Sequence, residues 1–166
     1  LKDIGYYEDI IEDGTTFEEN ALIKARTIAK YSSKVAIADD SGLSVALLDG
    51  RPGVYSARYS AEQTDEKNIE KVLSELNGEK SEAKFVSVIA LVRPDGSEIT
   101  FRGECHGEII SEKRGNNGFG YDPIFYVPSL EKTFAELTPE QKNSISHRKE
   151  SLEKFSKYLK EENYEN

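Results

Sequence analysis

An unbroken β-rich run in the middle of the chain constrains the fold more than any other segment. Residues 85–92 read Phe-Val-Ser-Val-Ile-Ala-Leu-Val, a Pro-Asp-Gly turn follows at 94–96, and residues 99–105 alternate between apolar and polar side chains. β-Branched and aromatic residues favour strands, and a short Gly-containing turn joins two strands side by side. The pattern therefore predicts a long antiparallel hairpin.

Helical patterns flank this hairpin on both sides. Thr16 and Glu19 have the spacing of a capping box, which predicts a helix that begins there and fades near Tyr31. The other predicted helices cover residues 65–76, begin at Pro139, and cover residues 151–162 with Leu152, Phe155 and Leu159 facing inward. We therefore predict one α/β domain over residues 1–166, with a mixed twisted sheet, flanking helices and a long antiparallel hairpin.

Charge and cysteine content narrow the classes of function. The formal net charge of −9 argues against a surface for a nucleic-acid polymer, which needs clustered Lys and Arg. No apolar run approaches the ~20 residues that span a bilayer, so we expect no membrane partner. Cys105 is the only cysteine, which favours a cytoplasmic location. An acidic protein can still bind a small phosphorylated substrate through a few cations or a divalent metal.

Two adjacent aspartates follow a short apolar run. Residues 35–38 predict a strand that is buried on both faces and stops at Asp39 and Asp40. Ligands of open α/β sheets gather at the carboxyl ends of strands, so a site is expected there. Because neighbouring side chains alternate, one aspartate should face the cleft while the other braces a turn. The alternative is that both aspartates only cap the turn at Ser41 and Gly42.

A second acidic cluster lies near the start of the chain. Glu12 and Asp13 precede the turn at Gly14, and with Asp40 they would complete a site for a hard cation. Mg²⁺ prefers one or two carboxylates together with phosphate oxygens. The alternative is an ordinary solvated acidic stretch.

The loop over residues 115–122 combines three glycines with aromatic rings. Such a loop can bring backbone amides and a ring face against a planar base, and Phe119 is the candidate for stacking. The alternative is an ordinary turn that carries core aromatics.

Three donors for phosphate or carbonyl oxygens cluster further along, at Lys142, His147 and Arg148. The alternative is a helix surface capped by Ser146. With two histidines and one cysteine, a zinc or cysteine-nucleophile site has no support, and no serine-nucleophile motif is present. The chemistry that the sequence favours is metal plus carboxylate plus water.

Taken together, these motifs resemble the inosine triphosphate pyrophosphatase family, the non-standard purine NTP pyrophosphatases. The segments that carry the resemblance are residues 16–25 (TFEENALIKA), 38–43 (ADDSGL), 51–59 (RPGVYSARY), 118–125 (GFGYDPIF), 135–137 (AEL) and 144–148 (SISHR). Their order and spacing span almost the whole chain, which makes the combination far more specific than any single match.

The resemblance implies a magnesium-dependent enzyme that hydrolyses ITP, dITP and XTP to the monophosphate and pyrophosphate. It implies that Asp40 is the general base and a metal ligand, that Glu12 is a second ligand, and that the enzyme is a homodimer. The residues that it implies for substrate binding are Ser41, Phe119, Gly120, Tyr121, Asp122, Lys142, His147 and Arg148, the last two recognising the base oxygen at C6.

The family also has a feature upstream of the position where this chain starts. Its members begin with a βα unit whose turn cradles the triphosphate, whereas this chain begins at Leu1 and contains no methionine. We therefore expect the sequence to be a fragment that lacks this unit. The alternative function is a catalytically impaired nucleotide-binding protein of the same fold.

Overall fold

The computed structural model describes residues 10–165, and every structural statement below concerns this part of the chain. The helices are α1 (Phe17–Ser32), α2 (Asp65–Leu76), α3 (Pro139–Ile145) and α4 (His147–Glu165). The strands are β1 (Ala36–Val45), β2 (Ser81–Val92), β3 (Glu98–Ile109), β4 (Phe125–Val127) and β5 (Lys132–Thr133). None of these helices is long and apolar enough to cross a membrane.

The strands form one sheet in the order β1-β2-β3-β4-β5, so β1 lies at an edge. All four pairings between neighbouring strands are antiparallel. The α/β class and the long hairpin of β2 and β3 are therefore confirmed. The parallel pairs that would make the sheet mixed are not found among residues 10–165.

Helix α1 begins at the predicted capping residue. Thr16 Oγ1 accepts a hydrogen bond from Glu19 N at 3.0 Å, and the Glu19 carboxylate accepts one from Thr15 N at 2.7 Å. The first bond satisfies a main-chain donor that a helix start leaves free, whereas the Glu19 carboxylate bonds the residue before the cap and not the Thr16 N–H that a capping box would use. The helix ends where Ser33 adopts a left-handed conformation (φ 57°), which lets its N–H reach the oxygen of Ala29.

Strand β1 is longer than predicted and is not buried on both faces. It covers Ala36–Val45, so Asp39 and Asp40 lie inside the strand and not after its end. All ten of its residues pair with residues 83–92 of β2. This continuous ladder outweighs the weak strand preference of Asp, Ser and Gly. Ile37 is 51% exposed, which fits an edge strand with one poorly covered face.

Helices cover both faces of the sheet. On one face, the alanines of α1 pack against alternate residues of β2 such as Val86 and Val88. On the other face, Phe155 and Tyr158 of α4 pack against Phe101 of β3. The result is a three-layer arrangement with the sheet in the middle.

The stripe of α4 that faces the sheet differs from the predicted one. Leu152 and Leu159 are 55% and 38% exposed, so the prediction that they face inward is wrong. The covered stripe runs through Ser151, Phe155 and Tyr158, so Phe155 faces inward as predicted, while its two neighbours in the stripe precede the predicted leucines by one residue. Ser151 is fully buried, and its hydroxyl lies 3.1 Å from that of Ser87 on β2. Because the stripe begins with a polar residue, a pattern that considers only apolar residues does not detect it.

A further hydrophobic cluster fills the space between α2, β4 and one end of the central hairpin. It includes Leu43, Phe85, Ile109, Phe125 and Phe134. The cluster supports one wall of a cleft whose opposite wall is the start of α4. The fold thus brings residues that are up to about a hundred positions apart in the sequence, such as Ser41 and Arg148, to one opening.

Candidate active site

Neighbouring residues of β1 serve opposite faces of the sheet. Asp40 points toward α1, where its Oδ1 lies 3.9 Å from Lys24 Nζ. Ser41 points toward α4, and its hydroxyl accepts a hydrogen bond of 3.3 Å from Arg148 Nη2. This is the alternation expected of a strand, but it occurs in the middle of β1 and not at a turn. The interpretation that the aspartates only cap a turn is therefore wrong.

Lys24 lies between two carboxylates on the α1 face. Its Nζ is 3.1 Å from Glu12 Oε1, lies near Asp40, and also donates to the main-chain oxygen of Asp39. The structure thus brings Glu12 and Asp40 to the same cation. Sequence analysis assigned no role to Lys24. The available signal was a polar pair one turn apart, Asn20 and Lys24, on a helix whose other buried residues are Phe17 and three alanines.

The Asp40 carboxyl has an unusually high pKa for an aspartate. Burial raises this pKa from 3.8 to about 6, outweighing the nearby Lys24 ammonium, which lowers it. Its Oδ2 atom is buried and has no hydrogen-bond partner within the described residues. A carboxylate that ionises near neutral pH and has an unpartnered oxygen can accept a proton from water or bind a hard cation.

The donor set suits a cation that arrives with a phosphorylated ligand. Between residues 10 and 165, no group of three or more His, Cys, Asp or Glu side chains is arranged to hold a metal ion. Glu12 and Asp40 supply two carboxylates, and Mg²⁺ commonly takes one or two carboxylates and completes its shell with phosphate oxygens and water. The pair fits Mg²⁺ on that basis.

A cleft of about 440 Å³ opens on the α4 face of the sheet. All eight residues that the resemblance implies for substrate binding line it: Ser41, Phe119, Gly120, Tyr121, Asp122, Lys142, His147 and Arg148. Lining residues that the sequence analysis did not single out include Ser56, Asp65, Asn68, Phe85 and Asn143. The volume lies within the range of small-molecule pockets.

Phe119 stands at the mouth of this cleft with two cations beside it. Its ring is 57% exposed. Lys142 Nζ lies 4.6 Å from the ring centroid, and Arg148 Cζ lies 5.2 Å from it. Both distances are within the range of cation–π attraction. An exposed ring with charged donors around it can cover a planar ligand whose edge accepts hydrogen bonds.

The Asp122 carboxylate fixes the conformation of the loop over residues 115–122. Its carboxylate is buried, accepts a bond of 2.6 Å from Lys142 Nζ and another of 3.1 Å from Phe119 N. Burial raises the pKa of this carboxyl, while Lys142 lowers it. Gly118 has φ +77°, and a Cβ there would collide with the Asp122 carboxylate. The glycine is therefore needed for close approach.

Tyr121 contributes to the wall and not to the polar surface of the cleft. It is buried, and its hydroxyl donates a 2.6 Å hydrogen bond to Ser56 O. The hydroxyl of Ser56 accepts a 2.8 Å bond from Leu43 N on β1. A Cβ at Gly42 would lie 2.6 Å from Ser56 Oγ, so this position also requires glycine. These contacts hold β1 against the segment that contains Ser56.

Among the three predicted donors, His147 differs from Lys142 and Arg148 because its side chain is neutral. Burial, together with the charges of Arg148 and Lys142, lowers the pKa of its imidazole from 6.5 to about 3. Its Nδ1 atom is buried without a hydrogen-bond partner among the residues described. The positive charge at this end of the cleft therefore comes from Lys142 and Arg148.

Comparisons with known proteins identify the family to which the chain is similar. The sequence model of the Ham1 family matches residues 1–158. The chain is 53% identical to a dITP/XTP pyrophosphatase of Halalkalibacterium halodurans over 163 residues, which is 96% of this chain and 84% of that protein. It is 54% identical to a dITP/XTP pyrophosphatase of Bacillus subtilis over 163 residues, 96% of this chain and 82% of that protein.

The fold also matches a solved structure. It superposes on the Ham1 protein of Staphylococcus aureus with a TM-score of 0.90 and 50% sequence identity, covering 93% of this chain and 82% of that one. The resemblance drawn from the motifs is thereby confirmed.

Proposed function

The chain belongs to the Ham1 family, and from this premise we propose that it hydrolyses non-standard purine nucleoside triphosphates, dITP and XTP among them, to the monophosphate and pyrophosphate. The observation that carries the proposal is that two sites adjoin β1, one on each face of the sheet. A carboxylate of raised pKa stands on one face at Asp40, and a cleft with an exposed ring and two cations opens on the other, next to Ser41. Together they suit a ligand with a purine at one end and phosphates at the other.

In this proposal the base occupies the cleft beside Phe119. A keto oxygen at C6 accepts hydrogen bonds from donors such as Arg148, whereas the amino group of adenine cannot accept them. Arg148 would find no acceptor at C6 of adenine, which adds a penalty against that base. Lys142 supports this arrangement, since its bond to Asp122 fixes the loop that carries the ring.

Asp40 acts as the general base in the proposed reaction. With a pKa of about 6 it is ionised at neutral pH, yet it remains basic enough to take a proton from an attacking water. The Lys24 ammonium beside it offsets the negative charge of the phosphates, which a protein of net charge −9 would otherwise repel. These side chains perform the protein's part of the hydrolysis.

Mg²⁺ is the proposed cofactor, held by Asp40 and Glu12. The unpartnered Oδ2 of Asp40 and the proximity of Glu12 to the same lysine support this assignment. When bound, the ion would neutralise phosphate charge and polarise the phosphoryl group.

The proposal is tested by measuring pyrophosphate release from dITP, XTP and ITP, with dATP and dGTP as comparison substrates, in the presence and absence of Mg²⁺. We expect release from the first three only, and only with the metal; guanine shares the keto oxygen at C6 and must be excluded by its 2-amino group. Binding of dITP without any release would support the nucleotide-binding alternative. Equal turnover of dATP would overturn the assignment of the base pocket.

The homodimer and the cytoplasmic location remain proposals. Both come from the family resemblance and the cysteine content, and the single described chain supplies no interface. Light scattering on the purified protein measures the first, since a dimer would have twice the chain mass of 18.6 kDa.

A further inference from the structure

We propose that Phe85 is a positioning residue that fixes the plane of the His147 imidazole and thereby sets how strongly the pocket discriminates between purine bases. This inference rests on the proposed function, since it concerns the same pocket. Phe85 lies on β2, far from the resemblance motifs, and it enters the cleft only through the sheet register.

Phe85 is itself held rigidly. It is 7% exposed and lies between Leu43 of β1 and Cys105 of β3 in the sheet. Its ring packs against Phe125 at 4.3 Å and against Phe134 at 5.3 Å between centroids. A ring fixed on two sides by other buried rings offers a rigid surface to whatever lies on it.

His147 lies on that surface. The imidazole and the Phe85 ring are 5.0 Å apart with planes only 21° from parallel. The imidazole is 7% exposed, and no polar group within residues 10–165 bonds its buried Nδ1. Since no hydrogen bond restrains that nitrogen, the stack on Phe85 is the contact that defines the plane of the ring.

The plane matters because a neutral imidazole is a directional group. It offers one N–H donor and one acceptor nitrogen, both in the plane of the ring. Arg148 beside it is a stronger and more flexible donor for a keto oxygen and does not depend on that plane. Loss of the stack should therefore reduce discrimination between bases more than it reduces overall turnover.

The test compares Phe85→Leu with Phe101→Leu. Both phenylalanines are 7% exposed and packed among aromatic rings, but Phe101 contacts Phe155 and Tyr158 away from the cleft. The measured quantity is the ratio of kcat/KM for dITP to that for dATP. We expect the ratio to fall about tenfold in Phe85→Leu, the size of one misaligned polar contact, and to stay unchanged in Phe101→Leu. An unchanged ratio in both variants would overturn the proposal.

A second readout does not depend on activity or on the stability of a variant. The chain contains two histidines, and His106 is 73% exposed, so its ring supplies a reference signal in the NMR spectrum. In the wild-type protein we expect nuclear Overhauser contacts between the ring protons of His147 and Phe85, and a ring-current shift of the His147 signal. Absence of both would disprove the positioning role even if dITP is hydrolysed. Their presence in a protein that does not hydrolyse dITP would overturn the proposed function instead.

Discussion

The Asp40 carboxylate and the Lys24 ammonium lie 3.9 Å apart, one on the edge strand and the other on the helix that covers it. This contact is too long for a strong hydrogen bond, and Lys24 is closer to Glu12. Lys24 therefore only partly offsets the burial of Asp40, which leaves the pKa of that carboxyl near neutrality.

Replacement of Asp40 by Asn should abolish turnover while largely preserving substrate binding. The change removes the proposed base and one metal ligand but leaves the cleft on the opposite face intact. We expect kcat for dITP to fall by about 10²- to 10⁴-fold, measured as pyrophosphate release. Asp39→Asn is the matched control, because Asp39 is exposed on the other face, and it should retain activity. Full activity of Asp40→Asn would refute the assignment.

The same variant should be more stable than the wild type at neutral pH in the absence of metal. At Asp40 the folded protein binds more protons than the unfolded chain between pH 3.8 and about 6, because the pKa of this carboxyl is raised over that interval. The contribution of Asp40 to the free energy of unfolding therefore falls as pH rises through this window. After allowance for solvent screening, the advantage of Asp40→Asn should grow by about 1 to 2 kcal/mol between pH 4 and pH 7. Urea unfolding in EDTA measures it, and a pH-independent difference would contradict the expectation.

Replacement of Glu12 by Gln should weaken metal binding. The amide is a poorer ligand for a hard cation, so we expect the Mg²⁺ concentration for half-maximal rate to rise by about tenfold. Titration calorimetry with Mg²⁺ and a non-hydrolysable nucleotide provides a measurement independent of turnover. Asp13→Asn, one residue along and exposed, serves as the control. An equal effect of the two substitutions would argue for a general loss of negative charge.

Replacement of Asp122 by Ala should destabilise the protein and loosen the loop. It leaves the Lys142 ammonium and the Phe119 amide without their buried partner. A cost of about 3 kcal/mol in the free energy of unfolding is expected, together with a higher KM. Glu153→Ala breaks the exposed 3.6 Å pair with Lys149 and should cost less than about 0.5 kcal/mol. Similar costs for both variants would mean that the Asp122 pair is not effectively buried.

Much of the fold could be predicted from local pattern. Helix α2 has the predicted bounds, and the hairpin appears where β-branched residues and a turn signal coincide. The extent of β1 could not be predicted, because Asp, Ser and Gly disfavour strands and only the ladder with β2 keeps them extended. The inward stripe of α4 was missed because a buried serine begins it.

The candidate site, like the fold, could be predicted from the sequence only in part. The residues around the cleft could be identified because they lie in compact motifs that a family resemblance makes specific. Lys24 was given no role because its partners, Glu12 and Asp40, are brought to it only by the fold. The charge state of His147 could not be predicted either, since burial sets it and burial is not encoded in the neighbouring residues.

The alternation of side chains along β1 places the Asp40 carboxylate and the cleft on opposite faces of the sheet. Asp40 and Ser41 are adjacent in the chain but serve different faces, so substitutions that reshape the cleft need not disturb the carboxylate. In the proposed mechanism, base preference can therefore change during evolution while hydrolysis is retained. The same arrangement makes β1 intolerant of insertions and deletions, because a shift of one residue against β2 would exchange the two faces and remove both properties at once.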